Sequence, residues 1–142
     1  VLIRVISDVH SNLPALEAVL SDPRGRGADL TACLGDVVGY GAEPTACVRR
    51  VREACAVVVS GNHDSGVAGR TPLVHFNAAG AEAVAWTRGI VGAGDAEWLA
   101  GLPLHAGLEG FFLCHSDPAA PDGWRYILTQ GAALNAIEAN PD

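Results

Sequence analysis

Residues 2–12 read LIRVISDVHSN, residues 30–41 read LTACLGDVVGYG, and residues 56–64 read AVVVSGNHD. In each, an apolar run of strand length stops abruptly at a polar stretch holding Asp, His or Asn. A fourth run, FFLCHSD at 111–117, does the same. Helical patterns separate the first three, so strands and helices alternate and the fold class is α/β. In open sheets of that class, ligand sites form outside the carboxyl ends of the strands. Loops at that edge would therefore gather Asp8, His10, Asp36, Asn62, His63 and His115 in one place.

Working outward, Leu2 to Ile6, Leu30 to Leu34 and Ala56 to Val59 are the expected strands. Polar loops follow at Ser7 to Asn12, Gly35 to Gly41 and Ser60 to Asp64. Asn12 is a candidate N-cap with Pro14 in the first turn, before Leu13, Leu16, Val19 and Leu20 at helical spacing. A second helix is expected from Glu43 to Ala54, with Cys47, Val48, Val51 and Cys55 on one face. Phe76, Ala79, Ala83, Trp86 and Ile90 mark the apolar stripe of a long helix, and a short one covers Asp95 to Ala100. Leu102 to Leu108 and Phe111 to Cys114 read as a hairpin across Glu109-Gly110.

Composition narrows the chemistry. The 142 residues fit one domain, 1–142, and the 49% hydrophobic content excludes a disordered chain. Nine arginines face sixteen acidic residues for a net charge of −7, and lysine is absent. A Walker-type lysine, a Schiff-base lysine and a kinase ion-pair lysine are therefore excluded, and no G-x-S-x-G elbow is present. An acidic surface repels polyphosphate backbones, so neither non-specific nucleic-acid binding nor a membrane partner is expected. An anionic substrate needs local positive charge, which bound cations can supply. Cys33, Cys47, Cys55 and Cys114 show no C-x-x-C spacing and read as buried, reduced thiols. No apolar run reaches the length of a membrane span, and a cytoplasmic location is expected.

Taken singly, each polar stretch has a plain explanation. Gly35-Asp36 could be an ordinary turn, and Asp8-x-His10 a chance pair. Asp64 reads as a loop-ordering acceptor, and His75 and His105 as surface or helix-boundary histidines. Cys114 and His115, adjacent on a strand, point to opposite faces and do not form a thiol–imidazole dyad.

Taken together, the spacings resemble the calcineurin-like metallophosphoesterase superfamily, whose pattern runs D-x-H, G-D, G-N-H-D or E, H, and finally G-H-x-H. Asp8-Val9-His10-Ser11-Asn12, the run Gly35 to Gly41, and the stretch from Phe76-Asn77 to Trp86-Thr87 are similar to its small bacterial phosphoesterases. The resemblance implies two stacked mixed β-sheets flanked by helices, an α/β/β/α sandwich. It implies two divalent metal ions, manganese first, with iron, zinc, cobalt or nickel open. Asp8 and His10 would bind one metal, Asn62 and His115 the other, and Asp36 would bridge them ~3.5–4 Å apart. His63 would be the catalytic acid and not a ligand. The implied reaction is hydrolysis of a phosphodiester, phosphomonoester or nucleotide phosphoanhydride by a hydroxide between the metals, on a small phosphorylated substrate. The alternative is a non-catalytic interaction scaffold on the same fold. The His63-Asp64 pair is also similar to helical phosphohydrolases with an H-D motif, but those need a helix there.

Two departures stand out. Gly39 and Tyr40 occupy positions where the superfamily's serine/threonine phosphatases carry an Asp that orients the histidine and an Arg. Phosphoprotein substrates become less favoured, and His63 must be oriented otherwise. The final G-H-x-H is missing, so the chain is expected to be part of a longer protein and to lack C-terminal strands. A sheet edge or face should then be uncovered.

Overall fold

A computed structural model describes residues 1–139. Strand β1 (Ile3–Ile6) leads through helix α1 (Leu13–Ser21) to β2 (Leu30–Cys33), then α2 (Pro44–Ala54) and β3 (Val57–Val58). The three strands form one parallel sheet in the order β1-β2-β3, with Ile3 opposite Leu30 and Cys33 opposite Val58. Short helix α3 (Asn62–Val67), α4 (Ala78–Ile90) and α5 (Ala93–Gly101) follow. Strands β4 (His105–Leu108) and β5 (Phe111–Cys114) form an antiparallel hairpin, and α6 (Gln130–Glu138) closes the described chain. The expected two-sheet α/β arrangement flanked by helices is present, one sheet parallel and the other antiparallel. Glu109 and Gly110, both at positive φ, make the two-residue hairpin turn.

The helices cover one face of the parallel sheet because their apolar residues recur at helical spacing. Leu16 of α1 and Cys47, Val48 and Val51 of α2 pack with Ile6, Cys33, Val37 and Val38 in the main core. A second core joins the two sheets through Ala32, Val59 and Leu113, flanked by Ile3, Ala106 and Leu108. Asn12 caps α1 by accepting from the Ala15 N–H at 3.1 Å. Arg4 ties β1 to the next segment by donating to the carbonyls of Leu20 and Gly25. Among the described residues no helix is long and apolar enough to cross a membrane.

Two expectations need correction. The stripe on α4 is displaced: Gly80, Val84 and Thr87 face inward, whereas Trp86 is 47% and Ile90 49% exposed. The cause is α3, whose Gly66 lets Val84 and Phe76 approach closely and whose carbonyl accepts from Arg88. Close packing against a bare backbone outweighs the burial of the largest side chains. The stretch from Ser60 is also not a loop throughout, because α3 begins at Asn62. Asp64 starts it by accepting the Gly61 N–H at 3.0 Å. The His63-Asp64 pair therefore does lie on a helix.

Apolar side chains remain exposed on β1, β5 and the C-terminal segment: Val5 52%, Phe111 62%, Leu128 82% and Ile137 68%.

Candidate metal centre

Beyond the ends of β1 and β2, the two segments continue side by side. Asp8, His10 and Ser11 donate their N–H groups to the carbonyls of Gly35, Asp36 and Val37 at 2.9–3.0 Å. Gly41 and Glu43 return bonds to the carbonyls of His10 and Ser11. Asp8, His10, Ser11, Asp36 and Tyr40 all adopt positive φ, a region that costs energy for residues other than glycine. The surrounding hydrogen bonds hold them there, and the side chains of Asp8, His10, Asp36 and Tyr40 line one cavity. The third loop closes on the second because Gly61 lies directly against the backbone and carboxylate of Asp36. Asp36 then accepts from the His63 N–H at 2.9 Å through Oδ1.

The other oxygen, Asp36 Oδ2, faces two imidazoles. His10 Nε2 lies 3.6 Å away and His115 Nε2 3.5 Å away. Each ring has its Nδ1 on a backbone carbonyl, His10 on Val38 at 3.2 Å and His115 on Leu34 at 2.7 Å. A carbonyl only accepts, so both rings carry the proton on Nδ1 and turn Nε2 toward the carboxylate. In the neutral rings, nitrogen lone pairs then face carboxylate lone pairs at distances too long for a hydrogen bond. Donors bonded to one ion at ~2.1 Å in tetrahedral geometry lie ~3.4 Å apart. The spacing and the donor chemistry fit divalent cations.

Two donor clusters can be drawn, His10-Asp36-His63 and Asp8-Asp36-His115, with the ligand atoms of each within 4.8 Å of one another. Asp36 belongs to both. Asp8 also lies 3.8 Å from His10 Nε2 and is the most exposed of the set, with its side chain 58% accessible. Asn62 lines the same cavity as these residues. All six expected residues therefore meet, but proximity groups His63 with His10 and Asp36, where the resemblance assigns it no metal.

Burial of these charges has consequences. Asp36 is 3% and Asp64 0% exposed. Burial pushes both carboxyl pKa values up from the usual range, helped by Asp8 at Asp36 and by Asp36 at Asp64. Asp64 is spent as an acceptor, taking N–H bonds from Val38 and Gly61. Its helical position does not make it a ligand, since both oxygens hold the loops together. Burial, then the neighbouring His10 and His115, lowers the His63 pKa to about 4. Its Nδ1 is buried without a hydrogen-bond partner, pressed against Gly39. Rings orient it instead: Tyr40 at 4.5 Å, His10 at 4.9 Å and Phe76 at 5.2 Å between centroids.

Sequence reasoning missed Trp124, Arg125 and Tyr126, which line the cavity beside the donors. Their only signal was an aromatic–Arg–aromatic run in a segment of no regular structure, shortly after His115. His105 is exposed and stacks on Phe112, away from this site. His75 is exposed too, but it lines a larger neighbouring cavity. The four cysteines are free, Cys33 and Cys47 buried and Cys55 and Cys114 partly so.

An uncharacterized protein of Methanocaldococcus jannaschii, MJ0912, is 43% identical over 130 residues, covering 89% of this chain and 54% of that protein. The crystal structure of a metallophosphoesterase from Sphaerobacter thermophilus superposes with a TM-score of 0.81 at 38% identity, covering 96% of this chain and 55% of the other. Hypothetical protein PH1004 from Pyrococcus horikoshii OT3 shares the fold at 20% identity and a TM-score of 0.59, covering 73% of this chain and 48% of its own. The chain thus spans about half the length of these relatives. Residues 1–135 match the profile described as calcineurin-like phosphoesterase, and the chain belongs to that family.

Proposed function

We propose that this chain carries the centre of a metal-dependent phosphohydrolase acting on a phosphate ester of small size. The observation that carries the reading is the pair of imidazoles, each fixed on a carbonyl through Nδ1 and turned through Nε2 to Asp36 Oδ2. Asp8 and His10 would hold one divalent cation, Asn62 and His115 a second, and Asp36 both. When bound, the cations supply Lewis-acid stabilisation of phosphate oxygens and an activated water at neutral pH. In the net reaction, water oxygen bonds to phosphorus, the ester oxygen departs, and a water proton ends on the leaving alcohol.

His63 attends the departing oxygen. With Nδ1 closed off, the open edge of its ring lies on the cavities, where an N–H can hydrogen-bond to that oxygen. Arg125 lines the donor cavity and offers a guanidinium to the phosphoryl oxygens.

Metal analysis and turnover of a chromogenic phosphodiester test this reading together. The expected result is about two Mn²⁺ per chain, hydrolysis abolished by chelation, and a His63→Ala variant slower by ~10²–10⁴-fold that keeps its metal. Hydrolysis without metal dependence, or rates indifferent to His63→Ala, would remove the reading. A folded chain holding no metal would leave an interaction scaffold instead.

A further inference from the structure

Two cavities meet at His63. The smaller, about 130 Å³, holds Asp8, His10, Asp36 and His115 with Arg125. The larger, about 530 Å³, is walled by Thr71, His75, Phe76 and Asn77. Tyr40, Asn62, His63, Trp124 and Tyr126 line both. If His63 attends the leaving oxygen, the phosphoryl group occupies the smaller space and the leaving group extends into the larger. This step rests on the function proposed above.

The walls of the larger cavity state what fits. Besides the imidazoles of His63 and His75, its rings are Tyr40, Phe76, Trp124 and Tyr126. Trp124 is fixed at both ends of the site. Its indole N–H donates to Thr71 Oγ1 at 3.1 Å, and its ring lies 6.2 Å from that of His115 in an edge-on arrangement. Thr71 is itself 6% exposed and bonded to Ser65 at 2.8 Å, so the platform is anchored in buried structure. Arg70, which lines the cavity, donates to the carbonyls of Ala100 and Leu102. Asp122 adds negative charge to the wall. Arg70 and Asp122 cancel in formal charge, so the wall offers no net positive charge to a leaving group bearing further phosphates. Asn77 uses its carbonyl oxygen on the Gly80 N–H, which leaves its amide NH₂ for an acceptor on a ring edge.

We infer that the leaving group is an uncharged alcohol bearing a planar heteroaromatic ring, of the nucleoside kind, and that Trp124 is the platform on which the ring stacks. Hydrolysis forms the bond from water oxygen to phosphorus, breaks the bond to the nucleoside oxygen, and delivers the proton to that oxygen. Stacking on one aromatic side chain corresponds to a preference of about 10- to 100-fold.

The test pairs adenosine 5′-phosphate with ribose 5-phosphate, each as the monoester and as its methyl diester, in the presence of Mn²⁺. The leaving alcohols are matched, so only the base differs. The ratio of kcat/KM for release of adenosine over ribose should be about 10 to 100 in at least one pair. It should collapse toward one in Trp124→Ala and largely persist in Trp124→Phe. Independently of turnover, adenosine without phosphate should quench tryptophan fluorescence, ribose should not, and the quench should vanish in Trp124→Ala. Turnover with no preference for the base, or no adenosine binding, overturns the inference and leaves the hydrolase standing. Adenosine binding that depends on Trp124, with none of the four esters cleaved, overturns the hydrolase and leaves the platform.

Discussion

The loops that follow β1 and β2 and the segment between β5 and α6 border the same cavity, yet they are built in different ways. The former are joined backbone to backbone, with Asp8, His10 and Ser11 extending the sheet's ladder past its end. The latter is held by side chains, Ser116 to the Pro121 carbonyl and Trp124 to Thr71. Asp36 in the first region is 3% exposed, whereas Tyr126 in the second is 81% exposed. Donors that must converge on one ion within a fraction of an ångström are placed by the main chain, which substitution rarely moves. A recognition surface hung from side chains can change without disturbing those donors.

The contrast is broken most severely at Asp36. Asp36→Asn keeps the shape and removes the shared charge, so metal content should fall below one ion per chain and turnover by at least ~10³-fold. Retention of two ions would show that the carboxylate is not common to both. A gentler probe sets one added methyl group against each region. Gly61→Ala drives a Cβ into Asp36 and should cost about 1–3 kcal/mol in denaturant unfolding. Gly123→Ala meets Arg125 at an ordinary 3.7 Å and should stay within ~0.5 kcal/mol. Equal effects would erase the distinction.

Thiol chemistry sharpens it. Cys33 lies under the first region, fully buried, and burial pushes its thiol up to about 12. Cys114 precedes the second region, half-buried, and is raised as well. Only thiolate reacts, so alkylation of Cys33 at pH 8.5 should run on the order of 10³-fold slower than for an unperturbed thiol. Its rate should climb about tenfold per pH unit until the thiol ionises. Mass mapping should find Cys114 modified first, and Cys33 modified first would count against the tight closure of the first region.

The same division explains what could be read from residues alone. Strand ends, the α2 face of Cys47, Val48 and Val51, and the hairpin across Glu109-Gly110 follow from local period and turn chemistry. The six clustered side chains were legible because each sits at a fixed offset from a strand end. The α4 face was not, because Gly66 on another element decides it, and small residues carry no hydrophobic signal. Asn62 as a helix start was hidden too, since Asp64 reads equally as a loop acceptor and as a cap. Trp124 was out of reach altogether: its partner Thr71 lies 53 residues away, and nothing periodic links them.

Val38 and Leu34, whose carbonyls grip the two imidazoles, flank Asp36 within five consecutive residues. When that short segment breathes, carboxylate and both rings travel together like passengers on one raft. Thermal drift is then expressed as misalignment between that raft and the wall carrying Trp124, while the spacing among its own three occupants is preserved.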